Sequence, residues 1–166
     1  SQNMAIKTAL EHGAEEVLQL DVDQDVPPDV LARFRAHDKD VVGALTALRQ
    51  YPHPWGMFNF TPDGIRRTNV KPTERLQKVD VSNGGCILIK AKVFKDIPPP
   101  WFATDMTEDG CDVTSSSDFY FFRKVKDAGF EVFIDTTVES PHHTDLLLHS
   151  VSLGRKIDYL EVHESV

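Results

Sequence analysis

The sequence predicts an α/β fold in which a sheet is flanked by helices, and two observations support this prediction. Short apolar runs typical of strands alternate along the chain with segments of helical periodicity. The first run, Val17 to Leu20, is followed by acidic residues at every second position and then by two prolines, which a central strand would not tolerate. The acidic residues therefore lie at the carboxyl end of a strand, where open α/β sheets bind ligands.

Composition limits the class of protein. A chain of 166 residues, 40% of them apolar, predicts one globular domain, 1–166, with a substantial core. No apolar stretch reaches the length of about 18 residues that spans a membrane, and no segment has the features of a signal peptide. The net charge of −8 argues against nucleic acid as a partner. Two cysteines, Cys86 and Cys111, are too few for a disulfide framework, so we expect reduced thiols and a cytoplasmic protein.

The first half of the chain opens on a helix rather than a strand. Residues 2–12 have amphipathic periodicity that Gly13 ends, and Pro27 and Pro28 suit the first turn of a second helix. Because a helix in a doubly wound sheet normally crosses over from an earlier strand, we expect strands of a larger fold before residue 1. The remaining elements are a strand at 40–45, a hairpin across 56–70 and an extended segment at 73–81.

The second half contains a glycine turn at 82–85, where the backbone can approach a ligand because no Cβ intervenes. Three serines, Ser115 to Ser117, are predicted to cap a helix that Gly129 ends. The other predicted elements are a buried strand at 86–89, a short helix at 91–97, a loop from 101 to about 115, a strand at 131–135, a loop at 141–144 and a tail of helix-compatible spacing from 145.

Asp21, Asp23 and Asp25 form an acidic cluster after the first strand. Neighbouring carboxylates repel one another, and their oxygen atoms suit Mg²⁺, Mn²⁺ or Ca²⁺. An EF-hand loop would need Gly at its sixth position and Glu at its twelfth, where this chain has Val26 and Ala32, so that interpretation is rejected. Two interpretations remain: a strand-end Asp-x-Asp that holds a metal against a diphosphate, and a solvated acidic turn before a helix.

Four stretches, in order, resemble the GT-A glycosyltransferases, in particular inverting enzymes related to bacterial and phage family 2. LDVDQDVPPDVL is similar to their strand-end Asp-x-Asp, and SNGGCILIKAKVFKDIPPPWF to their glycine turn, strand, short helix and Pro-Trp-Phe. SSSDFYFFRKVKDAGFEVFID resembles the helix that begins at the catalytic carboxylate, and VESPHH the segment with a metal-binding His. Over roughly residues 3–145, the resemblance implies a Rossmann-like, GT-A-like mixed sheet that is N-terminally truncated and lacks the strands that hold the nucleotide base.

The resemblance also implies a role for each matching residue. Asp21, Asp23 and His142 match the ligands of Mn²⁺ or Mg²⁺, and His143 fits the last of these positions as well. Asp118 matches the catalytic base that takes the proton of the acceptor hydroxyl. The positions that match substrate contacts are Gly84, Gly85 and Trp101 on the donor and acceptor side, and Ser117, which stands where the group usually has Glu.

The implied activity is metal-dependent transfer of a sugar from a UDP- or GDP-sugar to a hydroxyl of a glycan, lipid or protein acceptor. A divalent ion would stabilise the departing diphosphate, and the helix dipole is expected to keep the pKa of Asp118 low. One alternative is a truncated or degenerate GT-A domain that binds a partner without turnover. Another is a nucleotidyltransferase, but the glycine-rich basic phosphate loop it would need is not visible. Missing N-terminal strands would leave a sheet edge exposed, so we also expect a homo-oligomer formed through that edge.

Overall fold

The computed structural model describes residues 1–49, 52–71, 73–108 and 112–143. Helices and strands alternate along this part of the chain, and the fold is mixed α/β as predicted. In order, the elements are α1 (Gln2–Glu11), β1 (Glu16–Leu20), α2 (Val30–Ala36), β2 (Val41–Leu45), β3 (Met57–Thr61), β4 (Gly64–Arg67), β5 (Leu76–Val79), β6 (Val81–Ser82), β7 (Cys86–Lys90), α3 (Ala91–Asp96), β8 (Asp105–Met106), β9 (Val113–Ser115), α4 (Ser117–Asp127) and β10 (Val132–Glu139).

The central sheet has five strands in the order β1-β7-β2-β10-β5. β7 pairs antiparallel with both β1 and β2, while β10 pairs parallel with β2, so β1, β2 and β10 run in one direction. β5 pairs antiparallel with β10. The carboxyl ends of β1, β2 and β10 and the amino end of β7 therefore lie on one side of the sheet, which we call the carboxyl edge.

Both faces of this sheet are buried. Alternate residues of β7 point to opposite faces, so Ile87 and Ile89 belong to one apolar cluster while Cys86 and Leu88 belong to another. The first cluster includes side chains of α1, α3 and α4: Ile6, Val93, Phe94, Phe121, Phe122 and Val125. The second includes Val30 and Phe34 of α2. Helices thus cover both faces of the sheet, and this packing buries the apolar residues of all four helices.

Glycines end two of the helices through the same backbone geometry. Gly13 and Gly129 have φ angles of 78° and 82°, in the left-handed region that glycine adopts without steric cost. The residue after each glycine donates its N–H back into the helix, from Ala14 to the Ala9 carbonyl at 3.0 Å and from Phe130 to the Val125 carbonyl at 3.1 Å. Both stop signals predicted from the sequence are confirmed.

Three segments differ from the sequence prediction. The predicted loop at 101–115 contains the short paired strands β8 and β9. The extended segment at 73–81 is divided between sheets, because β5 joins the central sheet while β6 joins a small sheet of order β4-β3-β6 that includes the predicted hairpin. The strand predicted at 131–135 continues to Glu139.

Further sequence predictions concern the C-terminal tail, the two cysteines, membrane-spanning helices and strands before residue 1. The tail from Asp145 and Cys111 lie outside the described residues. Cys86 is a buried free thiol whose pKa burial raises to about 12. No helix in the described part of the chain combines the length and the apolar character needed to cross a bilayer. Strands before residue 1 stay a prediction.

Candidate active site

The segment that follows β1 is joined by backbone hydrogen bonds to two other parts of the carboxyl edge. The N–H of Asp21 donates to the Gly85 carbonyl at 2.8 Å, which connects the acidic cluster to the glycine turn before β7. The N–H of Asp25 donates to Pro141 at 2.9 Å, and that of His143 donates to Asp23 at 2.5 Å. Gln24 and His142 form the bridge between these two bonds. The acidic cluster is therefore held against both the glycine turn and the loop after β10.

Neither Gly84 nor Gly85 has a positive φ angle, so backbone conformation does not explain these glycines. Their role is to let neighbouring side chains lie close to the backbone. A Cβ on Gly84 would lie 2.8 Å from Oδ1 of Asp118, and one on Gly85 would lie 2.0 Å from Nε2 of Gln24. The Gly84 N–H donates to Oδ2 of Asp118 at 3.3 Å, and its carbonyl accepts from Nε2 of Gln19 at 2.9 Å. The glycine turn thus brings β1 and the start of α4 together.

Asp118 occupies the first turn of α4 and is half-buried. Burial raises the pKa of its carboxyl group, the N–H of Gly84 opposes that rise, and the negative charge of Asp21 adds to it. The net effect is a raised pKa, so the expectation that the helix dipole would keep this pKa low is wrong. Loss of hydration is the largest cause of the rise, and the nearby carboxylate adds to it.

His142 is only 5% exposed, whereas the side chain of His143 is exposed. The amide nitrogen of Gln24 lies 3.3 Å from Nε2 of His142, and the Gln24 oxygen accepts from the Ser140 hydroxyl at 2.6 Å. Nδ1 of His142 is buried without a hydrogen-bond partner among the described residues.

The charge state of His142 follows from these surroundings. Burial lowers the pKa of the imidazole, and the positive charge of Arg49 lowers it further. The carboxylate of Asp21 and the backbone of Ala47 act in the opposite direction and raise the pKa. The net pKa of His142 is lowered, which favours the neutral imidazole. Of the two histidines, His142 is the buried one and the one in contact with Gln24.

Asp23 is ion-paired with Arg49, and Asp21 acts electrostatically on both Asp118 and His142. Asp21, Asp23 and His142 thus belong to one edge, but Asp23 is engaged by a guanidinium and His142 by an amide. Within the described ranges, no three carboxylate, imidazole or thiol groups are arranged to hold a metal ion. As placed here, the predicted ligands do not form a complete metal centre.

The other two predicted substrate contacts lie in different environments. Ser117 is the first residue of α4, beside Asp118, and is half-buried. The predicted serine cap is not formed by a side chain, because Ser116 holds the capping position without a cap hydrogen bond. Trp101 is 7% exposed in the core, and its indole N–H donates to the Phe94 and Ile97 carbonyls at 2.9 Å each. That placement gives no support to a role for Trp101 in lining the donor or acceptor side.

The sequence prediction missed three polar residues of this edge. Gln24 and Arg49 engage predicted metal ligands, and Gln19 connects Gly84 to Gln2, whose amide donates to Oε1 of Gln19 at 2.7 Å. Gln24 lies inside the acidic motif, so its position was a usable signal. Arg49 carries no local signal, because it lies in an irregular segment after β2.

No protein-family model matches this sequence, and no curated protein sequence is similar to it. Among solved structures, the fold is similar to that of A197 from STIV, with a TM-score of 0.60 and 18% identity, over 90% of this chain and 70% of that chain. It is also similar to GalNAc-T7, crystallised with UDP, GalNAc and Mn²⁺, with a TM-score of 0.53 and 12% identity, over 84% of this chain and 30% of that chain. At these identities the similarity concerns the fold alone, and it is a fold shared with a GT-A glycosyltransferase.

Proposed function

We propose that this chain is a glycosyltransferase domain that transfers a sugar from a UDP- or GDP-sugar to an acceptor hydroxyl of a glycan, lipid or protein. The observation that carries the proposal is the half-buried carboxyl group of Asp118, which has a raised pKa beside Asp21 and the glycine turn. A perturbed carboxyl group at a sheet edge that binds ligands is a candidate general base. The fold shared with a GT-A glycosyltransferase supports the same assignment.

In the proposed reaction, the acceptor oxygen attacks the anomeric carbon of the sugar while Asp118 takes the hydroxyl proton. The new C–O bond forms as the bond between the anomeric carbon and the diphosphate oxygen breaks, and the electron pair leaves on the diphosphate. Attack opposite the leaving group inverts the anomeric configuration. Asp118 then returns its proton to solvent. Gly84 and Gly85 leave room at the donor site for the Asp118 carboxyl group and the Gln24 amide, and Ser117 contacts substrate beside the base.

The raised pKa of Asp118 fixes the direction of the pH dependence. Only the deprotonated carboxylate can accept the hydroxyl proton, so the rate rises with pH through that pKa and levels off above it. A pKa closer to the working pH also makes the carboxylate a stronger base than an exposed aspartate. The helix dipole alone would have lowered the pKa of Asp118 and made it a weaker base.

The metal-dependent form of the proposal assigns Mn²⁺ or Mg²⁺ to Asp21, Asp23 and His142. A bound divalent ion would stabilise the charge of the diphosphate. The ion would compete with Arg49 for Asp23, although Nδ1 of His142 has no hydrogen-bond partner among the described residues, and the transfer step above is derived without the ion. Electron paramagnetic resonance of added Mn²⁺ tests this form directly. Bound Mn²⁺ that disappears in Asp23→Asn would support it, and an unbound spectrum with the wild-type protein and UDP would contradict it.

A second candidate function is a GT-A-like domain that binds a nucleotide or glycan without turnover. The ion pair between Asp23 and Arg49 favours it, because that pair occupies the carboxylate expected to serve the donor. Ser117 in place of the usual Glu points in the same direction.

The experiment that separates the two candidates compares Asp118→Asn with Asp127→Asn, the same change at the opposite end of α4. Release of UDP or GDP from a panel of nucleotide sugars and binding of UDP or GDP by calorimetry are measured for both. We expect Asp118→Asn to lower release by about a hundredfold or more while affinity stays nearly unchanged, because the base acts in the transition state. Asp127→Asn should behave like wild type.

Two other results would count against the glycosyltransferase proposal. Nucleotide binding by the wild type without any release from the panel would favour the second candidate. Release that survives Asp118→Asn undiminished would remove Asp118 as the base.

A further inference from the structure

We propose that Arg49 binds the diphosphate of the donor at the carboxyl edge and supplies the positive charge there without a divalent cation. The inference rests on the proposed function, because it assigns a binding residue to the diphosphate of the same donor. It differs from the metal-dependent form in one measurable respect, since nucleotide binding would then need no metal ion.

The first observation concerns what Arg49 already contacts. Its guanidinium is ion-paired with Asp23, which the resemblance placed among the metal ligands, and its charge also acts on His142. A positive group therefore pairs with one of the three residues expected to surround a cation and acts through its charge on a second. Within the described residues the predicted ligands do not form a metal centre, and Asp23 is engaged by Arg49 instead.

The second observation is the backbone that positions Arg49. Beyond β2, hydrogen bonds join the segment 46–48 to the segment 54–56. The N–H of Leu48 donates to the Pro54 carbonyl, and that of Gly56 to the Thr46 carbonyl, each at 2.8 Å. Ala47 and Trp55 form a bridge between them. Arg49 thus follows directly on an anchored backbone at the carboxyl end of β2.

The third observation is the charge balance of the edge. Asp21, Asp23 and Asp118 would repel a diphosphate, so a donor can bind only where a cation offsets them. A guanidinium has five N–H donors in a planar fork, and it can pair with a carboxylate and a phosphate oxygen at the same time. The Arg49 side chain is 60% exposed, so much of it stays in contact with solvent while it pairs with Asp23.

The test measures binding of UDP, GDP and inorganic pyrophosphate by calorimetry in EDTA and again with Mn²⁺. Pyrophosphate is included because it reports on the diphosphate contacts without the nucleoside. The variants are Arg49→Gln, Arg49→Lys and a matched control, Arg35→Gln, whose partner Glu16 lies at the opposite end of β1 from Asp21. In EDTA we expect Arg49→Gln to weaken binding by about tenfold or more, since charged hydrogen bonds are lost.

Arg49→Lys should lie between wild type and Arg49→Gln, because it keeps the charge but not the fork. Arg35→Gln should bind like wild type. Equal binding by wild type and Arg49→Gln in EDTA would overturn the inference. Binding that appears only with Mn²⁺ would overturn it as well while supporting the metal-dependent form of the proposed function. Failure of all three probes to bind, with and without Mn²⁺, would remove the proposed function itself.

Discussion

Gly85 and Gln24 make the closest approach in the candidate site. A side chain on Gly85 would place its Cβ 2.0 Å from the Gln24 amide nitrogen, so glycine is the residue that leaves this space open. The amide in that space contacts His142 on one side and accepts from the Ser140 hydroxyl on the other. Because Gly85 has no side chain, the Gln24 amide can lie against it. In that position the amide contacts Nε2 of His142 rather than Nδ1.

We expect Gly85→Ala to displace the Gln24 side chain and to break both of its hydrogen bonds. The loss should lower the free energy of unfolding by about 1–3 kcal/mol, the usual cost of leaving buried polar groups unpaired. Urea denaturation measures the change. A Gln24→Ala background is the control, because the shortened side chain leaves room for the new methyl group. The same cost in both backgrounds would contradict the steric explanation.

Residues at the ends of elements could be predicted from the sequence, and residues defined by tertiary contacts could not. Asp21 and Asp23 follow an apolar run, and Asp118 follows a serine cluster, so their positions are marked locally. The raised pKa of Asp118 has no local signature, because it comes from burial and from Asp21, a residue of a different element. The Arg49–Asp23 pair likewise depends on how the segment after β2 returns to the edge.

At the scale of elements, a buried contact between a carboxyl group and an imidazole joins the end of α2 to β10. The carboxyl group of Asp135 has a side-chain exposure of 0%, and its Oδ2 lies 2.6 Å from Nε2 of His37, the residue that caps α2. The other oxygen accepts from the backbone and hydroxyl of Thr137 at 2.9 and 2.6 Å. Burial alone would raise the pKa of Asp135, but the bonds from His37 and Thr137 outweigh it and the pKa is lowered.

We expect Asp135→Asn to destabilise the protein by about 2–3 kcal/mol at neutral pH, because it removes a buried carboxylate that accepts hydrogen bonds from His37 and Thr137. The wild-type contribution is complete above the unfolded-state pKa of about 3.9 and is lost as the pH falls through the lower folded-state value. The difference between wild type and variant should therefore shrink in acid. Urea denaturation across a pH series tests this, with Asp29→Asn, in an exposed pair with Arg33, as the control. A difference that does not depend on pH would contradict it.

The elements themselves were predictable where the apolar period was long enough to be recognised. α4 and four strands of the central sheet, β1, β2, β7 and β10, have that pattern, and both glycine stops lie where expected. β8 and β9 have two and three residues, too few to show any period. The division of 73–81 between two sheets was not predictable, because neighbouring residues of one extended segment pair with different strands.

At the scale of the whole molecule, strand direction explains how residues far apart in sequence meet. Because β1, β2 and β10 are parallel to one another, their carboxyl ends bring Asp21, Arg49 and His142 to one side of the sheet. β7 runs the other way, so the glycine turn that precedes it reaches the same side. A mixed sheet thus contributes both strand ends and a strand start to one edge, which is where open sheets bind ligands.

The same sheet order leaves β1 with β7 on one side and, within the described residues, no strand on the other. Unpaired backbone groups on such a strand can pair with a second chain, and exposed Leu20 at its end adds apolar surface. We therefore predict a homodimer formed by pairing of β1 strands.

Two substitutions test this prediction. Leu20 is 45% exposed and Ile65 on β4 is 46% exposed, so Leu20→Lys and Ile65→Lys place the same charge on the edges of two different sheets. In sedimentation velocity across a concentration series, Leu20→Lys should shift the dimer to monomer while Ile65→Lys leaves it intact. A wild-type protein that stays monomeric throughout, or a dimer broken only by Ile65→Lys, would show that β1 is not the interface.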